Sequence, residues 1–406
     1  AVQDFRHIGE IVQSPVNLEA ISNGRWIALD GSDRNRADYP ILQKYYPIGP
    51  LAATVRTVTA PATSLITADT TNFLAAAAAG TAPIQASADG ITWSTSATWT
   101  AATGPYCAIV AGTRYVMSGS GGDMSAPYVS NTGQTAANAV AKANWTATTG
   151  GAASTLPQAL AYSPSLALTV LIPNGASTAA YTLADGATAW STRTLTSANK
   201  YAVVWTGAKF LAVVVNSNMI QTSTDGTTWT DSYIGNGVPS SASCSMASNG
   251  NGTVVISPQA PGVATSSGWF LVSKDHGATW ANISMPSDFY VGNSGNIPVT
   301  VLPEYVYWLN NRFLLPLGYN WPACSLDGIG WHVEPISTRS SNAAQSVDAI
   351  VYKSGVYCGL YISTTGALTA TEDTSKFRIS RPMNRAAMNA TVPSGTLDYM
   401  WYIKAR

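Results

Sequence analysis

One phrase recurs along the chain, a polar turn closed by a tryptophan, and it limits the folds open to the sequence. It reads SADGITW at 87–93, STDGTTW at 223–229, SKDHGATW at 273–280 and SLDGIGW at 325–331. Looser copies are LADGATAW at 183–190 and TEDTSKF at 371–377. The closing aromatics Trp93, Trp145, Trp190, Trp229, Trp280, Trp331 and Phe377 lie 52, 45, 39, 51, 51 and 46 residues apart. A period of this size marks stacked supersecondary units that bury their faces against one another.

The residues between the phrases define the unit. YAVVWTGAKFLAVVV at 201–215, LAYSPSLALTVLI at 160–172, VYWLNNRFLLPL at 306–317 and AIVYKSGVYCGLYI at 349–362 each hold two apolar runs split by a turn dipeptide. Their β-branched and aromatic flanks read as strands. A third strand leads into the Asp-Gly turn and a fourth leaves through the Trp. The chain is therefore expected to be all-β, a seven-bladed propeller of four-stranded antiparallel blades over 51–376. Six or eight blades stay open, because the unit at 105–149 lacks an Asp-Gly turn. LAATVRTV at 51–58 is a candidate strand for the last blade.

Charged residues are 10% of the chain and the net charge is +0. An ordinary soluble domain carries about 25%. This balance leaves no electrostatic footprint for nucleic acid or an anionic membrane. No stretch is long and apolar enough for insertion into a bilayer. No N-terminal stretch has the layout of a signal peptide, so synthesis in a host cytoplasm is expected. Cys107, Cys244, Cys324 and Cys358 have no ligand spacing and read as buried thiols. No metal and no cofactor is expected.

The phrase S-x-D-(x)-G-x-T-W resembles the Asp-box, or BNR repeat, of sialidases and of many non-enzymatic propellers. The resemblance covers about 87–377 and implies structural roles for Asp89, Trp93, Asp185, Trp190, Asp225, Trp229, Asp275, Trp280, Asp327, Trp331, Asp373 and Phe377. In those families the boxes lie away from the catalytic face. Read from the residues alone, the Asp accepts turn N–H groups, Gly supplies a positive φ, and the Trp wedges between blades.

The ends differ from the middle. IGEI at 8–11 and GRWIALDGSDRNRADYPILQKYYPIG at 24–49 resemble the phage tail-collar domain through Trp26, Asp30, Gly31, Tyr39, Pro40 and Leu42. Leu29 stands where that family has Cys, and Arg25 displaces the preceding Gly to position 24. FRISRP at 377–382 and YMWYIKAR at 399–406 resemble the family's closing strands. The expected organisation is a small collar-like α+β domain, built from 1–50 and 377–406, with the propeller inserted between its halves. Eight of the 13 arginines fall in those two segments, a surface suited to docking on other virion proteins.

Catalysis is not expected. Residues 51–376 hold Arg56, Arg114, Arg193, Arg312 and Arg339 and the glutamates Glu304, Glu334 and Glu372, too sparse a set for a sialidase site. Asp288 and Glu304 are the one carboxylate pair worth testing for glycoside hydrolysis. The face opposite the Asp-Gly turns is expected to carry Gly-, Ser- and Asn-rich loops with Tyr233, Phe289, Tyr290, Tyr319, Trp321 and Arg339 as receptor-binding candidates. The reading is a bacteriophage tail-fibre or tail-tip protein in the virion. It would attach to a host surface glycan or outer-membrane protein, with a trimer as one arrangement. The alternatives are a polysaccharide-degrading tail enzyme and a purely structural virion component.

Overall fold

A computed structural model describes residues 11–14, 26–28, 33–40, 49, 51–56, 63–77, 84–95, 103–120, 126–131, 140–151, 158–173, 177–198, 200–214, 217–235, 243–259, 269–284, 290–292, 298–300, 305–317, 321–333, 347–361, 367–378 and 400–404. These residues build seven four-stranded antiparallel sheets, the blades of a propeller. Blade 1 is Thr63–Ala68, Phe73–Ala77, Ile84–Ser87 and Ser94–Thr95. Blade 2 is Thr103–Ala111, Arg114–Ser120, Tyr128–Ser130 and Trp145–Ala147. Blade 3 is Gln158–Ser163, Leu168–Pro173, Ala179–Ala184 and Ser191–Thr194. Blade 4 is Lys200–Trp205, Phe210–Val214, Met219–Ser223 and Thr230–Tyr233. Blade 5 is Ser243–Ser248, Val254–Gln259, Trp269–Ser273 and Ala281–Ser284. Blade 6 is Tyr307–Leu309, Arg312–Leu317, Trp321–Ser325 and His332–Val333.

Blade 7 differs in its connectivity. Val347–Lys353, Val356–Tyr361 and Ala367–Glu372 are its inner three strands, and its outer strand is Leu51–Arg56 from the start of the chain. The register runs from Ala367↔Arg56 to Glu372↔Leu51, so the ring is sealed by six residues from one end lying on six from the other. The segment after Glu372 does not form an exit strand like those of the other blades. Lys376–Arg378, which carries Phe377, pairs with Asp33–Asn35.

Side-chain chemistry follows position in the blade. Second strands are covered on both faces by neighbouring blades, so they read as continuous apolar runs without alternation. Phe210–Val214 is buried at every position. Outer strands face solvent, and Ser191–Thr194 and Thr230–Tyr233 are correspondingly hydroxyl-rich and largely exposed. Among the described residues helix is confined to two single 3-10 turns, Arg36–Asp38 and Lys142–Asn144. Residues 41–48, which follow Tyr39 and Pro40 in the segment that resembles the collar domain, lie outside the described residues. Cys244, Cys324 and Cys358 are buried, Cys107 is half-buried, and none forms a disulfide. Burial pushes the Cys244 and Cys358 thiols up to about 12, where the reactive thiolate is scarce at neutral pH.

The two ends of the chain meet. Met400–Lys404 is the middle strand of a three-stranded sheet, flanked by Ile11–Ser14 and Trp26–Ala28. Trp26 and Ile27 are buried there.

Candidate functional site

Four turns share one hydrogen-bond plan. In blade 4 the Ser223 hydroxyl donates to Asp225 Oδ1 at 2.9 Å and accepts the Gly226 N–H at 2.8 Å. Asp225 Oδ1 also accepts the N–H groups of Thr227 at 2.7 Å and Thr228 at 2.8 Å. The Trp229 indole N–H returns to the Gly226 carbonyl at 3.2 Å. Blade 1 repeats this plan with Ser87, Asp89, Gly90 and Trp93. Blade 6 does so with Ser325, Asp327, Gly328 and Trp331. Blade 5 accommodates an extra residue by placing His276 at φ 60° before Gly277, and Thr279 and Trp280 close the same bonds. Glycine is required twice over in this turn. Gly226 sits at φ +72°, and a Cβ there would lie 2.6 Å from Leu168 Cδ2 of blade 3.

Partial burial would push the Asp275 carboxyl up, but the Thr279 hydroxyl and N–H and the Ser273 hydroxyl outweigh it and hold it at about 2. Asp225 is also held well below the usual carboxylate range, by Thr228, Thr227 and Ser223 against the same opposing burial. A depressed folded pKa contributes stability above the unfolded value near 3.9, and that contribution is lost as pH falls through the folded value. The urea midpoint is therefore expected to drop between about pH 4 and pH 2, and to drop less steeply in Asp275→Asn. Equal acid slopes for the two proteins would sink this account.

Two units depart from the plan. Leu183 takes the Ser place in blade 3, so Asp185 Oδ2 accepts the Tyr162 hydroxyl at 2.8 Å and the Trp190 indole donates to Thr148 Oγ1 of blade 2 at 2.7 Å. Asp373 binds the Ser375 N–H and hydroxyl and pairs with Lys376 at 3.1 Å. Phe377, fully buried, meets Tyr39 edge-on at 6.1 Å.

In each blade the 1–2 and 3–4 turns share one end of the ring, the turn face, and the 2–3 and 4–1 connections share the other, the loop face. Both ends of the chain leave the ring on the turn face, at Leu51 and Glu372. A buried cluster marks the junction. The Glu372 carboxylate accepts from Gly49 N at 2.8 Å and Arg312 Nη1 at 3.1 Å on one oxygen, and from Asn310 Nδ2 at 3.2 Å and the Tyr357 hydroxyl at 3.4 Å on the other. Arg36 adds backbone and guanidinium bonds to Ser375 and Lys376. Lys353 closes the seam of blades 7 and 1, donating to the Thr71 and Ala88 carbonyls with its ammonium 4.9 Å from the Phe73 ring centroid.

On the loop face the backbone places three of the six receptor-binding candidates in neighbouring sectors. Tyr233 ends the outer strand of blade 4 and is 64% exposed. Tyr290 opens a hairpin, Tyr290–Gly292 with Pro298–Thr300, in the connection from blade 5 to blade 6. Trp321 starts the third strand of blade 6, opposite Leu317. Phe289, Tyr319 and Arg339, like the carboxylates Asp288 and Glu304, lie outside the described residues. Tyr305, which the sequence reading passed over, leads into blade 6 at this face, is 42% exposed, and lies 6.3 Å from the Tyr307 ring. No local signal separated it from the strand that it opens.

A cavity of about 370 Å³ opens at the turn-face mouth of the central channel. It is lined from the inner strands and turns of blades 3, 4, 5 and 6, with Tyr162, Trp205 and Trp308 among its walls. Among the described residues no three His, Cys, Asp or Glu side chains are grouped to hold a metal ion, and no helix is long and apolar enough to cross a membrane.

No family model and no curated sequence matches the chain. Solved structures do share its architecture, which places it in the class of seven-bladed β-propellers. Streptogramin B lyase is 9% identical with a TM-score of 0.57, over 80% of this chain and 98% of the other. YCF48 from Cyanidioschyzon merolae is 13% identical with a TM-score of 0.52, over 79% and 98%. The Pan2 WD40 domain of Neurospora crassa is 9% identical with a TM-score of 0.50, over 87% and 97%. At such identities the likeness is one of fold alone, since this fold hosts unrelated activities.

Proposed function

We propose that the chain is a receptor-binding component of a bacteriophage tail, a virion adhesin without catalytic activity. The terminal segments would join it to other tail proteins, and the loop face of the propeller would meet a host surface glycan or outer-membrane protein. The observation that carries this reading is the exit of both chain ends on one face of the ring, at Leu51 and Glu372. A module held from that side leaves the opposite face free for contact, and Tyr233, Tyr290 and Trp321 belong to that face. The terminal segments are those that resemble a tail-collar domain, through Trp26, Asp30, Tyr39, Pro40 and Leu42. The low charge and the Ser-, Asn- and Tyr-bearing loops suit recognition through stacking and neutral hydrogen bonds.

The test is binding of the labelled chain to intact cells and isolated surface polysaccharide of candidate hosts, with the polymer recovered and sized. Saturable binding that leaves the polymer intact is expected, weakened at least about tenfold, or 1.4 kcal/mol, by Tyr233→Ala with Trp321→Ala. Shortened polymer would replace the adhesin with a polysaccharide-degrading enzyme. Binding to cells but not to polysaccharide would point to a protein receptor. No binding to any host would leave a structural virion role.

A further inference from the structure

The mouth of the channel on the turn face holds side-chain donors that the fold leaves unused. Trp93, Trp229, Trp280 and Trp331 each donate the indole N–H to a turn carbonyl, and Trp190 donates to Thr148. Trp205 and Trp308 line the cavity, and neither indole N–H has an acceptor among the described residues. Their rings are held from behind, Trp205 by Phe210 and Trp308 by Phe313, both at 4.7 Å between centroids. Asn249, on the rim, accepts the Asn251 and Thr253 N–H groups through Oδ1. That fixes its amide orientation and leaves Nδ2 as a donor without an acceptor among the described residues. Ser248 Oγ accepts the Gly250 N–H at 3.1 Å, which leaves its hydroxyl proton to give. Tyr162 completes the wall, its hydroxyl tied to Asp185.

From this geometry we infer a binding site for a neutral, oxygen-rich ring, a sugar residue, at the turn-face mouth of the channel. Three considerations select that class. The lining contains no Asp, Glu, Lys or Arg, so neither a cation nor an anion has a counter-charge there. The available groups are donors, which a ring oxygen and hydroxyl oxygens would accept. Flat aromatic walls offer the apolar face of a pyranose a partner that needs no dehydrated charge. The volume, about 370 Å³, falls in the range of small-ligand clefts, about 300–1,000 Å³. The inference stands independently of the loop-face adhesin: this cavity is at the other end of the channel and shares no residue with Tyr233, Tyr290 or Trp321.

The experiment titrates the full chain with glucose, galactose, N-acetylglucosamine and maltose, reading tryptophan fluorescence and saturation-transfer NMR. The expected result is saturable binding of at least one sugar, weakened about tenfold or more by Trp205→Phe with Trp308→Phe. Those changes keep a ring on Phe210 and Phe313 while removing the donors and part of the aromatic area, and thermal unfolding checks that the variant is folded. Tyr233→Ala with Trp321→Ala is expected to leave this binding unchanged. No saturable response to any of the four sugars overturns the inference. So does binding that the double Phe variant leaves intact, or that only the loop-face variant removes.

Discussion

Glu372→Ala is expected to lower the unfolding free energy by about 3–5 kcal/mol, among the largest effects of any single change in this chain. The Glu372 side chain is 2% exposed and its partner Arg312 10%, so water cannot replace what is lost. Alanine would leave the guanidinium without its carboxylate and strip the acceptor from Gly49 N, Asn310 and Tyr357 together. The position magnifies the loss. Glu372 ends the strand on which Leu51 lies, where the ring is sealed, so the change weakens closure as well as one blade. Glu372→Gln keeps the size and one oxygen but presents an amide donor to groups that are themselves donors, and an intermediate loss is expected. Urea unfolding reads both as shifts in midpoint at constant slope. A midpoint for the Ala variant within about 0.5 kcal/mol of the parent would refute the role assigned to this cluster.

Trp229→Ala is expected to cost about 3–5 kcal/mol, the usual range for a large aromatic removed from a core. Trp229 is 5% exposed and belongs to a cluster drawn from both sides of the seam, Ala161, Val170 and Ile172 of blade 3 and Phe210 and Ala212 of blade 4. Its ring lies 6.4 Å from Phe210. Removing it opens a void between two sheets that cannot close without moving a blade, and it frees the Gly226 carbonyl. Trp229→Phe restores most of the area without the N–H and should recover more than half of the loss. Chemical denaturation of the pair separates packing from hydrogen bonding. An Ala variant within about 1 kcal/mol of the parent would mean that the tryptophan does not staple the seam.

How far such features could be read in advance depended on the distance between partners along the chain. Ser223, Asp225, Gly226 and Trp229 satisfy one another within seven residues, so their spacing alone announced the turn and its bonds. Asp185 and Trp190 carry the same letters but lack the Ser, and their partners Tyr162 and Thr148 are 23 and 42 residues away. The phrase therefore overstated the likeness of that turn to the others. Phe377 falls at the right interval after Trp331, yet its strand pairs with Asp33–Asn35, more than 300 residues earlier. Trp205 and Trp308 read as ordinary apolar residues of strand runs. They pack against the seam clusters of blades 3 and 4 and of blades 5 and 6, respectively, and only four strands brought side by side show that they also line the channel mouth.

The sequence by itself determined the unit and most of its turns: apolar strand sets at intervals of 39 to 52 residues, with Asp-Gly chemistry where the chain reverses. It favoured seven blades with six or eight left open, and the structure fixed the count at seven. The unit and its turns rest on strand propensity, burial pattern and short-range hydrogen bonds, which are properties of a few consecutive residues. The sequence offered 51–58 as a candidate strand for the last blade; only the tertiary structure decided that Leu51–Arg56 takes that place, that Glu372 anchors the junction, and that Met400–Lys404 lies between Ile11–Ser14 and Trp26–Ala28. Each of those choices joins residues hundreds of positions apart. The first two are set by the closing of the ring, which fixes which edge strand is left open and which segment is near enough to cover it; the third belongs to a separate three-stranded sheet of the terminal segments.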